Sequence, residues 1–169
     1  IGAVARELAH PPAVLHFAAH ILAAPQTTSA VALSRSSRPG EHRILRPGEV
    51  FIALSRSGGG ENQLLSSTTV SSTLRAGNSL VVLSGCGGAN GAILPGVGLQ
   101  GMARAWLAAR ALSVVGSLWA QPDSAEPFFQ AFYQSLAGNH DFRTALQAAQ
   151  TAMLKQSDWR NRPHHWEIG

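Results

Sequence analysis

The chain has 169 residues, of which 45% are hydrophobic and 13% charged, so it can form one folded domain with a substantial core. Its single cysteine excludes an internal disulfide framework and favours a reducing, cytoplasmic location, and no apolar run is long enough to cross a bilayer. The formal net charge is +4, and nearly all of the positive charge comes from arginine. Five arginines fall between Arg35 and Arg56, among Ser, Gly and Pro residues. This pattern indicates a solvated loop and no nucleic-acid partner.

The first half of the chain alternates short apolar stretches with turn-forming residues. A helix must end at His10-Pro11-Pro12, because a residue that precedes proline avoids helical backbone angles. The predicted elements are a helix over 3–9, a strand over 13–18, a loop over 21–28, strands over 30–33 and 49–54, and a helix over 64–74. The Arg/Ser/Gly-rich residues 34–62 are interpreted as a flexible insertion within the domain.

The second half is organised around the run Leu80-Val81-Val82-Leu83, which Ser84-Gly85-Cys86-Gly87-Gly88 follows. Four apolar residues that end in small, turn-forming ones are typical of a strand buried on both faces. The other predicted elements are a glycine-rich loop to Gly98, a helix over 99–111, a strand over 112–119, a helix capped by Ser124 with the core stripe Phe128-Phe129-Phe132-Tyr133, and a helix over 142–155 capped by Asp141. This alternation predicts an α/β fold with a doubly wound, mostly parallel sheet and helices on both faces.

Two predicted strands are followed by reactive residues, His20 and Cys86. The carboxyl ends of neighbouring parallel strands lie about 4.8 Å apart, so side chains leaving them can meet. An imidazole can take the thiol proton and return it to a leaving group, which is the minimum for thiol catalysis. Backbone amides in the turn from Gly85 could stabilise an oxyanion.

Other interpretations of these residues stay open. Cys86 could pack as a small buried hydrophobe. Alternatively, Ser84-Gly85-Cys86-Gly87-Gly88 could be the nucleophile elbow of an α/β-hydrolase, whose active histidine would then be His140, His164 or His165. His16 is interpreted as a packed core histidine on the side of His20. No metal site is predicted, because His164-His165 lacks a Cys, Asp or Glu partner at zinc spacing.

Several blocks of the chain, in one order, carry a family resemblance. They are Val14-Leu15-His16-Phe17-Ala18-Ala19-His20, the run that ends at Ser84-Gly85-Cys86, and the residues 98–109, 113–119, 132–133, 145–150 and 165–166. These blocks resemble the histidine strand, the Ser-Ala-Cys strand, the Gly-Leu-x-Gly-Leu-Ala-Arg-Ala-Phe helix and the closing His-Trp region of CHAT domains. The likeness covers 14–169, and the Arg/Ser-rich segment interrupts it.

The resemblance implies a caspase-like fold and a clan CD cysteine endopeptidase without a cofactor, in which His20 is the general base and Cys86 the nucleophile. Gly85, with its neighbours Gly87 and Ile21, would belong to the oxyanion environment. Asp123 matches an acidic position of the family and could receive a basic P1 side chain. Trp119 and Ser117, at the end of a predicted strand, are expected to line the substrate cleft.

The resemblance also implies partners. These are a protein or peptide substrate and other domains of the same polypeptide, such as tetratricopeptide repeats in bacterial-type signalling, with no membrane partner. The family's first and last strands have no counterpart here, so a fragment of a larger protein is expected. Two differences leave a second hypothesis: Ile21 stands where the family usually has Gly, and Gly87-Gly88 replace an acidic-Thr pair. A catalytically degenerate CHAT domain could act as an interaction or signalling module.

Overall fold

The computed structural model describes residues 2–24, 49–54, 63–85, 91–94, 98–117, 125–138 and 141–156. Within these ranges the helices are α1 (Gly2–Glu7), α2 (Ser67–Thr73), α3 (Met102–Ala108), α4 (Glu126–Ala137) and α5 (Phe142–Lys155). The strands are β1 (Val14–Phe17), β2 (Ile21–Ala23), β3 (Val50–Leu54), β4 (Gln63–Ser66), β5 (Leu80–Leu83), β6 (Gly91–Leu94), β7 (Gly98–Gly101) and β8 (Ser113–Gly116). None of the helices in these ranges is long and apolar enough to span a membrane.

A parallel sheet of order β1-β5-β8 forms the centre of the fold. Phe17 pairs with Leu83, and Leu83 pairs with Gly116, so the three strands end side by side. All four residues of β5 are buried, as expected of a strand covered on both faces. The predicted buried strand and the parallel α/β architecture are therefore confirmed.

Alternate residues of β5 enter two separate cores, one on each face of the central sheet. The α3-side core contains Phe17, Val70, Val81, Leu83, Met102 and Trp106, among others. The α4-side core contains Leu80, Val82, Val115, Phe128, Phe132, Ala145, Ala149 and Met153. The period of two along a strand thus produces a layered arrangement with helices on both faces.

An antiparallel sheet of order β2-β3-β4 lies beyond the end of β1, and the sequence predicted only part of it. The loop expected over 21–28 was wrong for Ile21–Ala23, because these residues pair with β3, with Ile21 opposite Ile52. The predicted insertion 34–62 contains β3, which is a paired and largely buried strand. The rest of that segment and the strand predicted over 30–33 lie outside the described residues.

The helix predicted over 64–74 was wrong in its first part. Residues Gln63–Ser66 form β4, and α2 begins only after Ser66, whose hydroxyl accepts a hydrogen bond from the Thr69 amide at 3.1 Å. Serine competes with the helix for backbone donors and therefore favours the N-cap position. The helical spacing of the apolar residues gave no indication of the boundary between β4 and α2.

The glycine-rich stretch was also only partly predicted. Where a loop to Gly98 was expected, β6 and β7 form an antiparallel hairpin, and α3 begins at Met102 instead of residue 99. The N-cap of α4 is Ala125, without a side-chain bond, whereas Ser124, the predicted cap, lies outside the described residues. Main-chain pairing between β6 and β7 sets the bounds of these strands and the start of α3, and the periodicity of the side chains does not indicate this pairing.

The last helix was predicted correctly, together with its cap. Asp141 accepts hydrogen bonds from the amides of Arg143 at 2.9 Å and Thr144 at 3.1 Å. These bonds, with one from the Thr144 hydroxyl, lower the pKa of the Asp141 carboxyl below its ordinary value of 3.8. The ionised carboxylate therefore stabilises the start of α5.

We predict that this cap makes stability depend on pH. A carboxyl with a lowered folded-state pKa contributes stability above its ordinary value of 3.8, and the contribution is lost as the pH falls through the folded-state pKa. Asp141→Asn keeps an acceptor oxygen but cannot titrate, so it should be less stable than wild type near neutral pH and approach it in acid. Asp141→Ala should be less stable than Asp141→Asn throughout. Urea unfolding of the three proteins over this pH range checks this, and a pH-independent difference between wild type and Asp141→Asn would contradict it.

Candidate active site

The strands β1 and β5 end at one edge of the central sheet, and the two candidate catalytic residues follow these ends along the sequence. The Ser84 amide donates to the Phe17 carbonyl at 3.1 Å, which extends the ladder one residue beyond the Phe17–Leu83 pair. His20 follows Phe17 by three residues, and Cys86 follows Leu83 by the same three. His20 is exposed, and Cys86 lies outside the described residues.

Gly85 packs directly against the residues that flank His20. It is buried, and a Cβ atom added to it would overlap the Ala19 carbonyl oxygen and lie 3.0 Å from Cγ1 of Ile21. Only glycine therefore allows this close approach. The residue bonded to Cys86 is in contact with both chain neighbours of His20.

Ser117 holds Gly85 from the other side. Its hydroxyl donates to the Gly85 carbonyl at 2.8 Å, and the residue is only 1% exposed. Ser117 was expected to line the substrate cleft, but its hydroxyl is used inside the protein. It braces the peptide unit that joins Gly85 to Cys86.

The main chain of the His20 loop is fixed by the antiparallel sheet. The Ala53 amide donates to the His20 carbonyl at 2.9 Å, and Ile21 begins β2. Among the described residues other than glycine, only Asn78 and Arg110 have positive φ angles. Ile21 is thus an ordinary extended residue, and its β-branched side chain fits this backbone without strain.

A polar cluster beside these strand ends was missed by the sequence analysis. His16 was predicted to be a packed core histidine, but that prediction was wrong: the ring keeps an exposed surface and faces α4. Its Nε2 lies 2.8 Å from the Ser84 hydroxyl, and its Nδ1 lies 2.8 Å from the Tyr133 hydroxyl. The alternation along β1 could have indicated this, since Leu15 and Phe17 belong to the opposite, α3-side core.

Burial shifts the titration of this cluster towards neutral side chains. The His16 ring lies against Phe129 and Tyr133, with centroids 5.3 and 5.7 Å away. Loss of solvent lowers the pKa of the His16 imidazole below its ordinary value of 6.5 and raises the pKa of Tyr133 to about 12. Both shifts favour the uncharged forms of these side chains near neutral pH.

Gly87, Trp119 and Asp123 lie outside the described residues, as do the alternative histidines His140, His164 and His165. The part of the chain that is described contains no group of three or more His, Cys, Asp or Glu residues that could hold a metal ion.

The parallel sheet with helices on both faces agrees with a caspase-like α/β fold. The chain belongs to the CHAT-domain family, because the family model described as CHAT domain matches residues 2–168, which is nearly the whole sequence. No curated protein matches the chain at a significant level.

We predict that Gly85→Ala disrupts the contact between the two strand ends. The new methyl group would overlap a backbone oxygen, so we expect a destabilisation above about 3 kcal/mol, the upper end of the usual cost of overpacking. Gly2→Ala is the control, because a Cβ there meets no atom within 4 Å, and it should change stability by less than about 0.5 kcal/mol. Urea unfolding measures both, and equal stability of the two variants would contradict the contact.

Proposed function

We propose that the protein is a cysteine endopeptidase that cleaves peptide bonds through a His20–Cys86 dyad. The observation that supports this most is the seating of Gly85, the residue before Cys86, against Ala19 and Ile21, the neighbours of His20. The parallel register adds to it, since both candidate residues follow paired positions by three residues. Membership of a caspase-like family is in agreement with this chemistry.

In the proposed reaction the His20 imidazole takes the proton of the Cys86 thiol, and the thiolate attacks the peptide carbonyl carbon. The carbon–nitrogen bond then breaks, and the imidazolium returns the proton to the leaving amine. Water, deprotonated by His20, hydrolyses the acyl-thioester and restores the thiol. Backbone amides near Gly85, Gly87 and Ile21 are the proposed donors to the oxyanion.

We further propose that the substrate is a protein or peptide with a basic P1 side chain. Asp123 would supply the charge that binds it, and Trp119 would contact the chain beside it. Other domains of a longer polypeptide, such as tetratricopeptide repeats, would present the substrate in the cytoplasm.

The first test is labelling of Cys86 by a thiol-reactive peptide probe at neutral pH. General acid–base catalysis contributes about 10²–10⁴-fold, so His20→Ala should slow labelling by at least about 100-fold. His10→Ala is the matched control: it removes another exposed histidine, one that follows α1, and should label at the wild-type rate. Equal labelling of His20→Ala and wild type would refute the dyad, and a folded but unreactive wild type would favour the degenerate interaction module.

The second test concerns the P1 residue. If Asp123 binds a basic side chain, cleavage of a peptide library should favour Arg and Lys at P1, and Asp123→Asn should remove that preference by raising KM more than it lowers kcat. Library profiles of the two proteins measure this. A wild-type profile indifferent to Arg and Lys would discard the role of Asp123 and leave the dyad untouched.

A further inference from the structure

A chain of hydrogen bonds connects α4 to the ends of β1 and β5. It runs from the Tyr133 hydroxyl to His16 Nδ1, and from His16 Nε2 to the Ser84 hydroxyl, with 2.8 Å at each step. The Ser84 hydroxyl also donates to the Phe17 carbonyl at 3.3 Å. Ser84, the last residue of this series of hydrogen bonds, precedes the candidate nucleophile Cys86 by two residues along the sequence.

One arrangement of protons gives each donor in this series of hydrogen bonds an acceptor within the series. The Tyr133 hydroxyl donates to Nδ1, the Nε2 proton is donated to Ser84, and the Ser84 proton is donated to the Phe17 carbonyl. The opposite tautomer would leave the Tyr133 proton without one of these acceptors. The neutral imidazole and the protonated phenol, both favoured by burial, are the forms that this arrangement needs.

We propose that Tyr133, His16 and Ser84 form a positioning network that fixes the spacing between the ends of β1 and β5, and thereby the distance from His20 to Cys86. This inference rests on the proposed peptidase function. The three residues act through the backbone, and none of them is assigned a contact with the substrate.

The helix that carries Tyr133 is held by the core, and Ser84 is adjacent in sequence to Gly85, which contacts the His20 loop. Phe128 and Phe132, on the same helix as Tyr133, are at most 1% exposed in the α4-side core, which holds α4 against the sheet. Ser84 is tied to β1 by its amide and its hydroxyl, both at the Phe17 carbonyl. Gly85, the next residue, lies against Ala19, so a displacement of Ser84 changes the contact beside His20 directly.

The proton arrangement argues against a nucleophilic role for Ser84 itself. A serine nucleophile needs an unprotonated imidazole nitrogen to accept its proton. In the proton arrangement described above, the nitrogen that faces Ser84 carries the proton, because Tyr133 donates to the other nitrogen. The hydroxyl of Ser84 therefore supports the strand ends.

The test compares Tyr133→Phe and Ser84→Ala with wild type by the rate of Cys86 labelling as a function of pH. Tyr133→Phe keeps the ring and removes one hydroxyl, and each variant should slow labelling by about threefold to tenfold, the range that loss of one hydrogen bond produces. The labelling profile of each variant should also move to higher pH, towards that of an ordinary cysteine, because the thiol is less well coupled to His20. Ser84→Thr, which keeps a hydroxyl, should restore most of the rate.

Ser79→Ala is the matched control. Ser79 is a buried serine that likewise donates to a backbone carbonyl of the preceding segment, that of Pro12, at the other end of β5. Its loss should reduce the free energy of unfolding as Ser84→Ala does, but the labelling profile should stay that of wild type. A shifted profile in Ser79→Ala would mean that general loosening of the sheet is responsible, and would overturn the inference.

The outcomes separate this inference from the proposed function. Labelling that depends on His20 but is unchanged in Tyr133→Phe and Ser84→Ala would overturn the network and leave the dyad standing. Labelling of wild type that does not depend on His20 would overturn both. If Ser84→Ala does not fold, Tyr133→Phe decides alone, because its ring still packs against His16 and Phe132.

Discussion

The parallel pairing of β1 with β5 is the constraint on which the candidate site depends. Because Phe17 is paired with Leu83, chain segments that follow these residues leave the sheet at the same edge and at the same height. The absence of a side chain at Gly85 then lets the second segment touch the first at Ala19. A residue with a Cβ at that position would overlap the Ala19 carbonyl oxygen and separate the two segments.

Serine hydroxyls secure β5 at both ends. Ser79 donates to the Pro12 carbonyl where the strand begins, and Ser84 donates to the Phe17 carbonyl where it ends. Ser117 adds a third bond, to Gly85, from the end of β8. The regular ladder of main-chain hydrogen bonds stops at the ends of a sheet, and hydroxyls of this kind supply additional donors to the carbonyls there and help to fix the register.

Sequence patterns predicted the elements whose hydrogen-bond partners are near in the sequence, or whose side chains are all buried. The apolar run of β5 and the cap of α5 by Asp141 each carry a local signal, and both were predicted correctly. The strands β2 and β6 carry no such signal, because short segments become strands only when a distant segment pairs with them. The cluster of His16, Ser84 and Tyr133 joins three elements, and no spacing along the chain encodes that meeting.

Ile21 shows that a departure from a family pattern need not strain the backbone. Glycine would give the residue after the histidine conformational freedom, whereas Ile21 is a regular strand residue that packs against the α3-side core. Three residues connect β1 to β2, and the His20 carbonyl is bound to β3. The backbone of His20 is thus fixed between two sheets while its side chain remains exposed. The general-base role proposed for His20 requires this combination, because a base must keep a constant position while its ring exchanges protons.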